Sequence, residues 1–451
     1  MKSEFEDLVR RIKEKPISEI LSHYGVKFER NTGSNLLALC PFHMDTTLGS
    51  FSANDSMGIC KCFACGEGGD AIRFVQVTQN LSFQQAVLQL AADEGLISQQ
   101  KFEEMGKKKY SKKFLKSMEY KLPQKVVKEL TAEETTIRDD VYNALKDIFG
   151  LSEKHRKHLK EVRQLPDDRI QKDYFSFRED MRQTEVVRKI LNQFPQYRDT
   201  LQDVPGFYKE TGSSLPTYAV YGGGIGIFIR NARGNVVGVQ IRKDIKKEGE
   251  QRYVWFSSSF AKSSKYFTGG AAAGSPQDIL YPQKKKTVPC FCIAEGKFKT
   301  EILSRKGNVA MSVQGVGNFS GCEREIKEAE KRMKHKFRTF YVYYDADMFR
   351  NMAVYAQAVK LGLYLMEKFP DAEVKYGVWD DADGKGIDDL YFAGKTDSIK
   401  SHSLSVMKET WEKKVTELMK LYGIESVNKV PKEVREDFLE DLETGLKKIL
   451  L

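Results

Sequence analysis

Two short pairs of metal-binding residue types stand near the start of the chain. Cys40 and His43 form the first pair. Cys62 and Cys65 form the second, again with two residues in between. Zinc prefers a tetrahedral shell of thiolates and imidazoles, and two such pairs place four ligands at the correct bite. We therefore predict one structural zinc ion with no open coordination position. The plainer alternative is a buried thiol cluster beside a surface histidine; the extra thiol, Cys60, is interpreted as strand packing.

Carboxylates stand directly after two apolar, β-branched and aromatic runs in the second half of the chain. Glu295 follows the run 288–294. Asp345 and Asp347 follow the run 339–344. Such runs are typical of buried strands, and the carboxyl ends of parallel strands meet at one edge of a sheet. Carboxylates gathered there can hold a divalent cation, as nucleotidyl transfer requires. We therefore predict a site for Mg²⁺, or Mn²⁺, at Glu295, Asp345 and Asp347.

A further acidic position lies beyond these two. Asp388 and Asp389 follow the glycine-rich stretch 384–386, and Asp388 is the predicted additional Mg²⁺ ligand. Each acidic group also has an ordinary interpretation, because a Glu-Gly pair is common and an Asp-x-Asp sequence often caps a turn. Their order along the chain, at the ends of predicted strands, favours a catalytic site over separate turns.

Between the two sites, basic residues alternate with aromatic ones. Lysine and arginine neutralise phosphates, and aromatic rings stack on exposed bases, so this composition suits a single nucleic-acid strand. The alternative is a solvated hairpin whose rings face the core. The predicted nucleic-acid or nucleotide contacts are Arg230, Arg242, Lys243, Arg252, Lys262 and Lys265, with Arg242 and Arg252 preferred.

Composition limits the class of protein. With 451 residues, of which 41% are hydrophobic, the chain has room for roughly two to four domains. Its net charge of +10 is consistent with a polyanionic partner. It has no apolar stretch of membrane-spanning length and no signal-peptide pattern at its start, so we expect a cytoplasmic protein with no membrane contact. Seven cysteines, four of them between Cys40 and Cys65, favour metal in a reducing compartment over a disulfide framework.

These sites need elements that position them, and the first of these is an N-terminal module. Residues 1–100 combine helical periodicity, short strands around the metal-binding pairs, and two further helices at Ala71–Gln79 and Ser82–Glu94. A lysine-rich linker at 101–133 follows. Ten lysines and four acidic residues between Lys101 and Leu130 indicate a solvated tether or a phosphate-contacting patch.

The rest of the chain is predicted to form three further segments. Residues 134–285 are polar and helical at first, then rich in strands, with a hairpin of Gly224–Arg230 and Val236–Arg242. Residues 286–397 alternate strand and helix patterns and predict an α/β unit with a mainly parallel sheet. Residues 398–451 form a helical C-terminal region. The predicted fold class is therefore multi-domain α/β.

Several stretches around the metal-binding pairs carry a more specific signal. They are Leu39–His43, Ser50–Phe51, Cys62–Cys65, Gly68–Ile72 and Ala86–Gly95. Together they resemble the N-terminal zinc-binding domain of bacterial DnaG-type DNA primases. The resemblance covers nearly all of the first hundred residues and implies a zinc ribbon that helps to recognise single-stranded template.

The acidic set resembles the toprim fold, which DnaG-type primases share with type IA and II topoisomerases and some nucleases and recombination proteins. On that resemblance Glu295 is a general base or a metal-proximal acid, and Asp345 and Asp347 are magnesium ligands. Lys299 and Gly386 stand where cellular members of the family often place acids. These departures make Asp388 the third ligand and leave the number of metal ions open.

Two more stretches narrow the resemblance. Gly315–Gly317 and Lys385–Leu390 are similar to toprim domains of primase-like proteins from phages, plasmids and other mobile elements. We therefore predict a DNA primase that joins ribonucleoside triphosphates into short RNA on single-stranded DNA. The alternatives are a toprim nuclease or topoisomerase-like enzyme, and a non-catalytic DNA-binding accessory factor of replication. No Gly-x-x-x-x-Gly-Lys-Ser/Thr sequence occurs, so unwinding is expected from a separate helicase.

Overall fold

The protein consists of three units, and each unit is built around a large cluster of buried side chains. The computed structural model describes residues 4–43, 45, 48–79, 81–120, 129–246, 251–283, 290–424, 427 and 430–451. Within these ranges, no helix is both long and apolar enough to span a bilayer.

The first unit surrounds a five-stranded antiparallel sheet with helices. Its helices are α1 (Glu4–Lys13), α2 (Ile17–His23), α3 (Ala71–Gln79), α4 (Phe83–Asp93), α5 (Gln99–Lys107) and α6 (Lys112–Met118). Its strands are β1 (Phe28–Thr32), β2 (Asn35–Ala38), β3 (Phe51–Asn54), β4 (Ile59–Cys62) and β5 (Gly68–Gly69). Helix α1 buries Phe5, Leu8 and Ile12, as their helical spacing predicts. Ser82 and Gln85 cap α4 reciprocally, which fixes where that helix begins.

The lysine-rich segment packs on the first unit where the structure describes it. The Tyr110 ring lies 4.6 Å from the Phe5 ring and stacks on Phe114 at 5.6 Å. Met105 is buried in the same core. The structure therefore differs from the predicted tether through residue 120, because the rings and the methionine among the lysines give these helices an apolar side. Residues 121–128 of the predicted linker lie outside the described residues.

The second unit packs helices against a four-stranded sheet with the order β11-β10-β9-β6. Its helices are α7 (Ala132–Phe149), α8 (Glu153–Lys157), α9 (Asp167–Asp173) and α10 (Gln183–Gln193), with a π-helical turn at His158–Val162. Its strands are β6 (Tyr174–Phe177), β7 (Phe207–Glu210), β8 (Thr217–Tyr218), β9 (Gly224–Arg230), β10 (Val236–Lys243), β11 (Tyr253–Trp255) and β12 (Phe267–Thr268). Strands β9 and β10 form the predicted hairpin. Strand β6 is unexpected, because it is short and interrupts a helical pattern.

The third unit is built on a six-stranded sheet with the order β13-β15-β14-β16-β17-β18. Its strands are β13 (Asp278–Leu280), β14 (Phe291–Glu295), β15 (Val309–Val313), β16 (Thr339–Tyr343), β17 (Glu373–Val378) and β18 (Lys400–Ser403). The four central strands are parallel and the two edge strands antiparallel, which confirms the predicted mainly parallel sheet. The sheet extends beyond the predicted segment 286–397, because β13 precedes it and β18 follows it.

Helices cover both faces of this sheet. They are α11 (Lys297–Arg305), α12 (Cys322–Met333), α13 (Met352–Lys368), α14 (Ile387–Phe392), α15 (Leu404–Leu421) and α16 (Arg435–Leu450). Leu418, Phe438 and Leu442 of the last two helices share one buried cluster with Phe340 and Val342 of β16. The C-terminal region is therefore helical, as predicted, and forms part of the core of the third unit.

Candidate active site and zinc centre

The four predicted zinc ligands lie together and are buried. The ligand atoms of Cys40, His43, Cys62 and Cys65 all lie within 4.8 Å of one another. The Sγ atoms of Cys40 and Cys65 are 3.9 Å apart, and Cys62 Sγ is 3.9 Å from His43 Nδ1. Zinc bonds of about 2.0 to 2.3 Å in a tetrahedron place neighbouring ligand atoms about 3.6 to 3.8 Å apart. The cluster therefore fits one structural Zn²⁺.

Backbone amides hold two of the thiols in place. The N–H of Phe42 donates to Cys40 Sγ at 3.3 Å, and the N–H of Cys65 donates to Cys62 Sγ at 3.4 Å. Both bonds arise because each ligand pair folds into a tight turn after a strand or loop residue. Bonds of this kind stabilise thiolate sulfur and fix its direction towards the metal.

Asp45 lies beside the histidine. Its Oδ1 lies 3.9 Å from His43 Nε2, and its Oδ2 accepts the Cys40 N–H at 2.9 Å. The other ring nitrogen of His43 therefore faces the thiols. Burial favours the neutral ring, but hydrogen bonds and charge from Cys62 and Cys65 outweigh it and raise the pKa of His43 to about 9. Cysteine binds Zn²⁺ as the thiolate, and the bound cation neutralises the negative charge of the sulfur.

The zinc ribbon rests on helix α13 of the third unit. Lys360 Nζ donates to the Cys65 carbonyl at 2.7 Å and pairs with Glu67 at 3.1 Å. Gln357 Nε2 donates to the Ala64 carbonyl at 3.0 Å. These two side chains of α13 therefore grip the turn that carries the last zinc ligand.

The predicted carboxylates follow neighbouring parallel strands. Glu295 is the last residue of β14, which runs beside β16 with Ala294 opposite Tyr343. Asp345 follows β16 and stands at the position before the 3₁₀ turn that contains Asp347. The parallel register therefore brings three of the four predicted acids to one edge of the sheet.

Asp388 completes the group from the first turn of α14. Within the described residues, the zinc tetrad alone meets the 4.8 Å spacing, so the carboxylates are more widely spread than the zinc ligands. Three of them have a cationic partner. The pairs are Asp345 with Lys299, Asp347 with Lys385 at 3.0 Å, and Asp388 with Arg163 at 3.6 Å.

Burial changes the protonation of two of these acids. Burial and, to a smaller extent, the charges of Asp345 and Asp347 raise the pKa of Glu295. Burial also raises the pKa of Asp388. Oxygen donors of this kind suit Mg²⁺, which binds through one or two carboxylates and keeps several waters. In donor type, the residues present therefore match the ligands that Mg²⁺ takes.

A cleft of about 320 Å³ opens beside Glu295 and Asp388, between the second and third units. The second unit contributes to its lining, and sheet alternation explains which residues of β10 reach it. The lining includes Arg163, Gln240 and Tyr253 from the second unit, and Glu295, Lys299 and Asp388 from the third. The acidic site therefore faces a wall built by the second unit.

Two of the predicted basic contacts are engaged inside the protein. Arg230 Nε lies 2.6 Å from Asp173 Oδ1, and its side chain is largely buried. Arg252 Nη1 donates to the carbonyls of Lys243 and Asp244 at 3.1 and 3.2 Å. Their guanidinium groups stabilise the second unit, so the structure does not bring them to the cleft.

Arg242 lies on the sheet face that borders the cleft. It is opposite Tyr253 in the ladder and two residues from Gln240, both of which line the opening. Its Nε is buried and has no hydrogen-bond partner among the described residues. Lys243, the next residue, projects from the opposite face of the strand.

Lys262 and Lys265 lie on the surface, away from internal partners of the kind that hold Arg230. Both lysines are exposed. Lys265 Nζ lies 5.2 Å from the Tyr266 ring centre, and that ring is 65% exposed. Phe260 is also exposed. The basic and aromatic pairing predicted from the sequence is therefore present at this surface.

Arg163 is a site residue that sequence reasoning missed. Its guanidinium lies 4.5 Å from the Phe298 ring centre and beside Asp388. It directly follows the π-helical turn, an irregularity frequent at functional sites but without a sequence motif. Only the fold brings it to the acids.

Comparison with known proteins identifies the first unit. Residues 3–106 match a family model described as CHC2 zinc finger, of the DnaG zinc ribbon type. Residues 282–398 match a model described as a domain of unknown function, DUF3854.

Curated relatives resemble the chain over a quarter of its length or less. The DNA primase of Clostridium acetobutylicum is 39% identical over 118 residues, which are 25% of this chain and 19% of that primase. The DNA primase of Aquifex aeolicus is 43% identical over 91 residues, 20% of this chain and 17% of that primase. The aligned segments thus span less than a fifth of each relative.

The chain is similar to a solved structure of the zinc-binding and RNA polymerase domains of Aquifex aeolicus primase. The alignment covers 100% of this chain and 99% of the solved chain, with 19% sequence identity and a TM-score of 0.42. That superposition is loose. The zinc tetrad, the ribbon sheet and the CHC2 match agree with one another. The N-terminal module of this chain is therefore a DnaG-type zinc ribbon of the CHC2 zinc finger family.

Proposed function

We propose that the protein is a DNA primase, which joins ribonucleoside triphosphates into short RNA on a single-stranded DNA template. The observation that carries this proposal is the contact between a DnaG-type zinc ribbon and the unit that bears the acidic site, with Lys360 Nζ 2.7 Å from the Cys65 carbonyl. A template-reading module and a phosphoryl-transfer site then act on one strand.

The cleft supports this chemistry through its charge. A bound Mg²⁺ supplies activation of the attacking 3′-hydroxyl and neutralisation of charge on the triphosphate. Asp345 and Asp347 are the residues proposed to hold it. Glu295, whose pKa is raised mainly by burial, is suited to accept the hydroxyl proton. Arg242 and Arg163, at the opposite wall, are proposed to orient phosphate oxygens.

Exposed rings provide a path for the template. Phe63, between the last two zinc ligands, is 70% exposed, and Tyr266 is 65% exposed beside Lys265. Aromatic stacking contributes about 1 to 3 kcal/mol per base and tolerates any sequence. We propose that single-stranded DNA contacts the zinc ribbon and the Lys262–Tyr266 surface on its way to the acids.

Asp345→Ala tests the proposed catalytic site. Primer synthesis by the full chain, with labelled ribonucleotides, Mg²⁺ and single-stranded templates, is expected to fall at least about 100-fold, because a charge-stabilising group is lost from the reacting centre. Asp371→Ala is the matched control, since Asp371 is an exposed acid of the same unit that pairs only weakly with Arg338, at 3.5 Å. Equal loss in both variants, or in neither, would contradict the assignment.

One observation favours a second candidate function. The hydrogen bond from Lys299 to Asp345 neutralises a proposed metal ligand, as expected of an accessory factor that binds DNA without polymerising. That candidate predicts normal single-strand binding with no RNA product from the wild-type chain. The same assay, run beside a DNA-binding titration, separates the two functions.

A further inference from the structure

Lys299 lies inside the acidic site. It belongs to the first turn of α11, and its Nζ donates to Asp345 Oδ1. The side chains of Lys299 and Asp345 are only 18% and 22% exposed, so solvent screens the pair weakly. Among the described hydrogen bonds and ion pairs, none uses the other oxygen of Asp345. One oxygen is thus held by the lysine, and the other remains available.

Lys299 also faces two further carboxylates. Its charge opposes the effect of burial on the pKa of Glu295, and it does the same for Asp388. Both groups are proposed parts of the magnesium site. The ammonium therefore stands among three acids that enter from β14, β16 and α14.

Gly386 provides the space that this arrangement needs. A Cβ at position 386 would lie 2.4 Å from Asp388 Oδ1 and 3.0 Å from Lys299 Cε. It would also lie 3.6 Å from Asp345 Oδ1. The backbone there, with φ −108°, is open to any residue, so it is the space that requires glycine. The absence of a side chain at Gly386 therefore leaves the space that Lys299 and Asp388 occupy.

Lys385, another cation at the acids, differs from Lys299. Lys385 pairs with Asp347 at 3.0 Å, but its side chain is 67% exposed, so it can turn into solvent at little cost. Lys299 lies against the side chains of the acidic site, which confine it. A ligand can displace Lys385 more easily than Lys299.

We infer that Lys299 is a built-in cation of the acidic site, so that the site takes a single divalent ion, held on the side of Asp345 and Asp347. Asp388 then positions Lys299 and does not bind the metal. The inference rests on the proposed function, because it concerns the same magnesium site. In catalysis the lysine supplies fixed positive charge where a second metal ion would otherwise neutralise the phosphates.

Manganese binding provides the test, since Mn²⁺ replaces Mg²⁺ at carboxylate sites and the free ion is measured directly by electron paramagnetic resonance. The full chain, loaded with zinc, is titrated with Mn²⁺ without DNA or nucleotide. The wild-type chain is expected to bind one Mn²⁺. Lys299→Met is expected to bind two, with the second at least tenfold tighter than any second ion in the wild type, because Asp345 Oδ1 and Asp388 are released.

Two variants control the count. Lys299→Arg keeps the charge and is expected to bind one ion. Lys306→Met removes the same charge from an exposed position at the end of α11, and is also expected to bind one. Thermal unfolding of each variant checks that the third unit is folded, and Lys299→Gln, which also removes the charge, takes the place of Lys299→Met if the latter does not fold.

Each outcome is informative. Two ions in the wild type, or in Lys299→Arg, would overturn the inference and leave the proposed primase standing. An unchanged count of one in folded Lys299→Met would also overturn it. If neither wild type nor variants bound Mn²⁺ in the millimolar range, the proposed magnesium site itself would fall, whatever the role of Lys299.

Discussion

At the scale of single residues, one glutamate stands out between the second and third units. Glu301 is fully buried on α11, and its carboxylate lies 3.7 Å from Arg169 Nε. Burial raises its pKa to about 7, although Arg169 and Lys297 oppose that rise. Asp173 and Asp278, on the neighbouring elements, add to it. The folded protein therefore binds a proton at Glu301 more tightly than the unfolded chain does.

This linkage predicts a pH-dependent stability. A carboxyl whose pKa is raised on folding destabilises the protein as pH rises from its unfolded pKa towards its folded one. Between about pH 5 and pH 7.5, Glu301→Gln is expected to gain on the order of 2 kcal/mol relative to wild type. Unfolding by denaturant at a series of pH values measures the difference, in which contributions common to both proteins cancel. A difference that does not change with pH would contradict the assignment.

Some functional residues can be predicted from the sequence and others cannot. The zinc ligands could be predicted because two-residue spacing is a local signal. Arg230 and Arg252 could not be separated from Arg242 by sequence, because their internal partners depend on the folded arrangement of strands. Asp173, which holds Arg230, lies 57 positions away in the chain. Arg163 reaches Asp388 only through the packing of two units.

At the scale of elements, the zinc ribbon depends on its metal. Structural zinc contributes on the order of 10 kcal/mol or more to folding in small modules. Cys62→Ser is therefore expected to lower the zinc content from one ion per chain to near zero, and to unfold the first unit. Metal analysis and hydrogen exchange of β1 to β5 provide the measurement.

Cys60→Ser is its matched control. Cys60 is also buried in β4 but lies outside the tetrad, so this variant is expected to keep one zinc ion. Loss of zinc from both variants would show that Cys60 is a ligand. Full zinc content in Cys62→Ser would contradict the tetrad.

Elements were predicted best where periodicity is strong. Helices α3 and α4, the β9–β10 hairpin and the parallel sheet of the third unit agree with their patterns. The edge strands β13 and β18 were not predicted, because they are short and pair antiparallel at the margins of the sheet. The lysine-rich segment departs from the predicted tether because its aromatic residues pack on Phe5, which its charge alone does not indicate.

At the scale of the whole molecule, contacts from α13 set where the zinc ribbon lies. Lys360 and Gln357 form three contacts with the turn 64–67. Arg435 adds one from α16, donating to the Asp45 carbonyl at 3.1 Å. The zinc centre is thereby coupled to the unit that carries the acids.

Lys360→Met is expected to loosen this contact. A hydrogen bond from a charged group contributes about 1.5 to 3 kcal/mol, so transient release of the ribbon should become roughly 10- to 100-fold more frequent. Hydrogen exchange of the amides at residues 62–66 is the readout. Lys368→Met, on the same helix but paired with Glu367 of that helix, is the control. Unchanged exchange in Lys360→Met would contradict the grip.

In the proposed function, the zinc ribbon and the acidic site act together to make RNA on a DNA strand. The most direct measurement is incorporation of labelled ribonucleotides by the zinc-loaded, wild-type chain with Mg²⁺, over a panel of single-stranded DNA templates. We predict short RNA products whose sequence is complementary to the template and which disappear when template or Mg²⁺ is omitted. Normal DNA binding with no RNA product on any template would contradict the account.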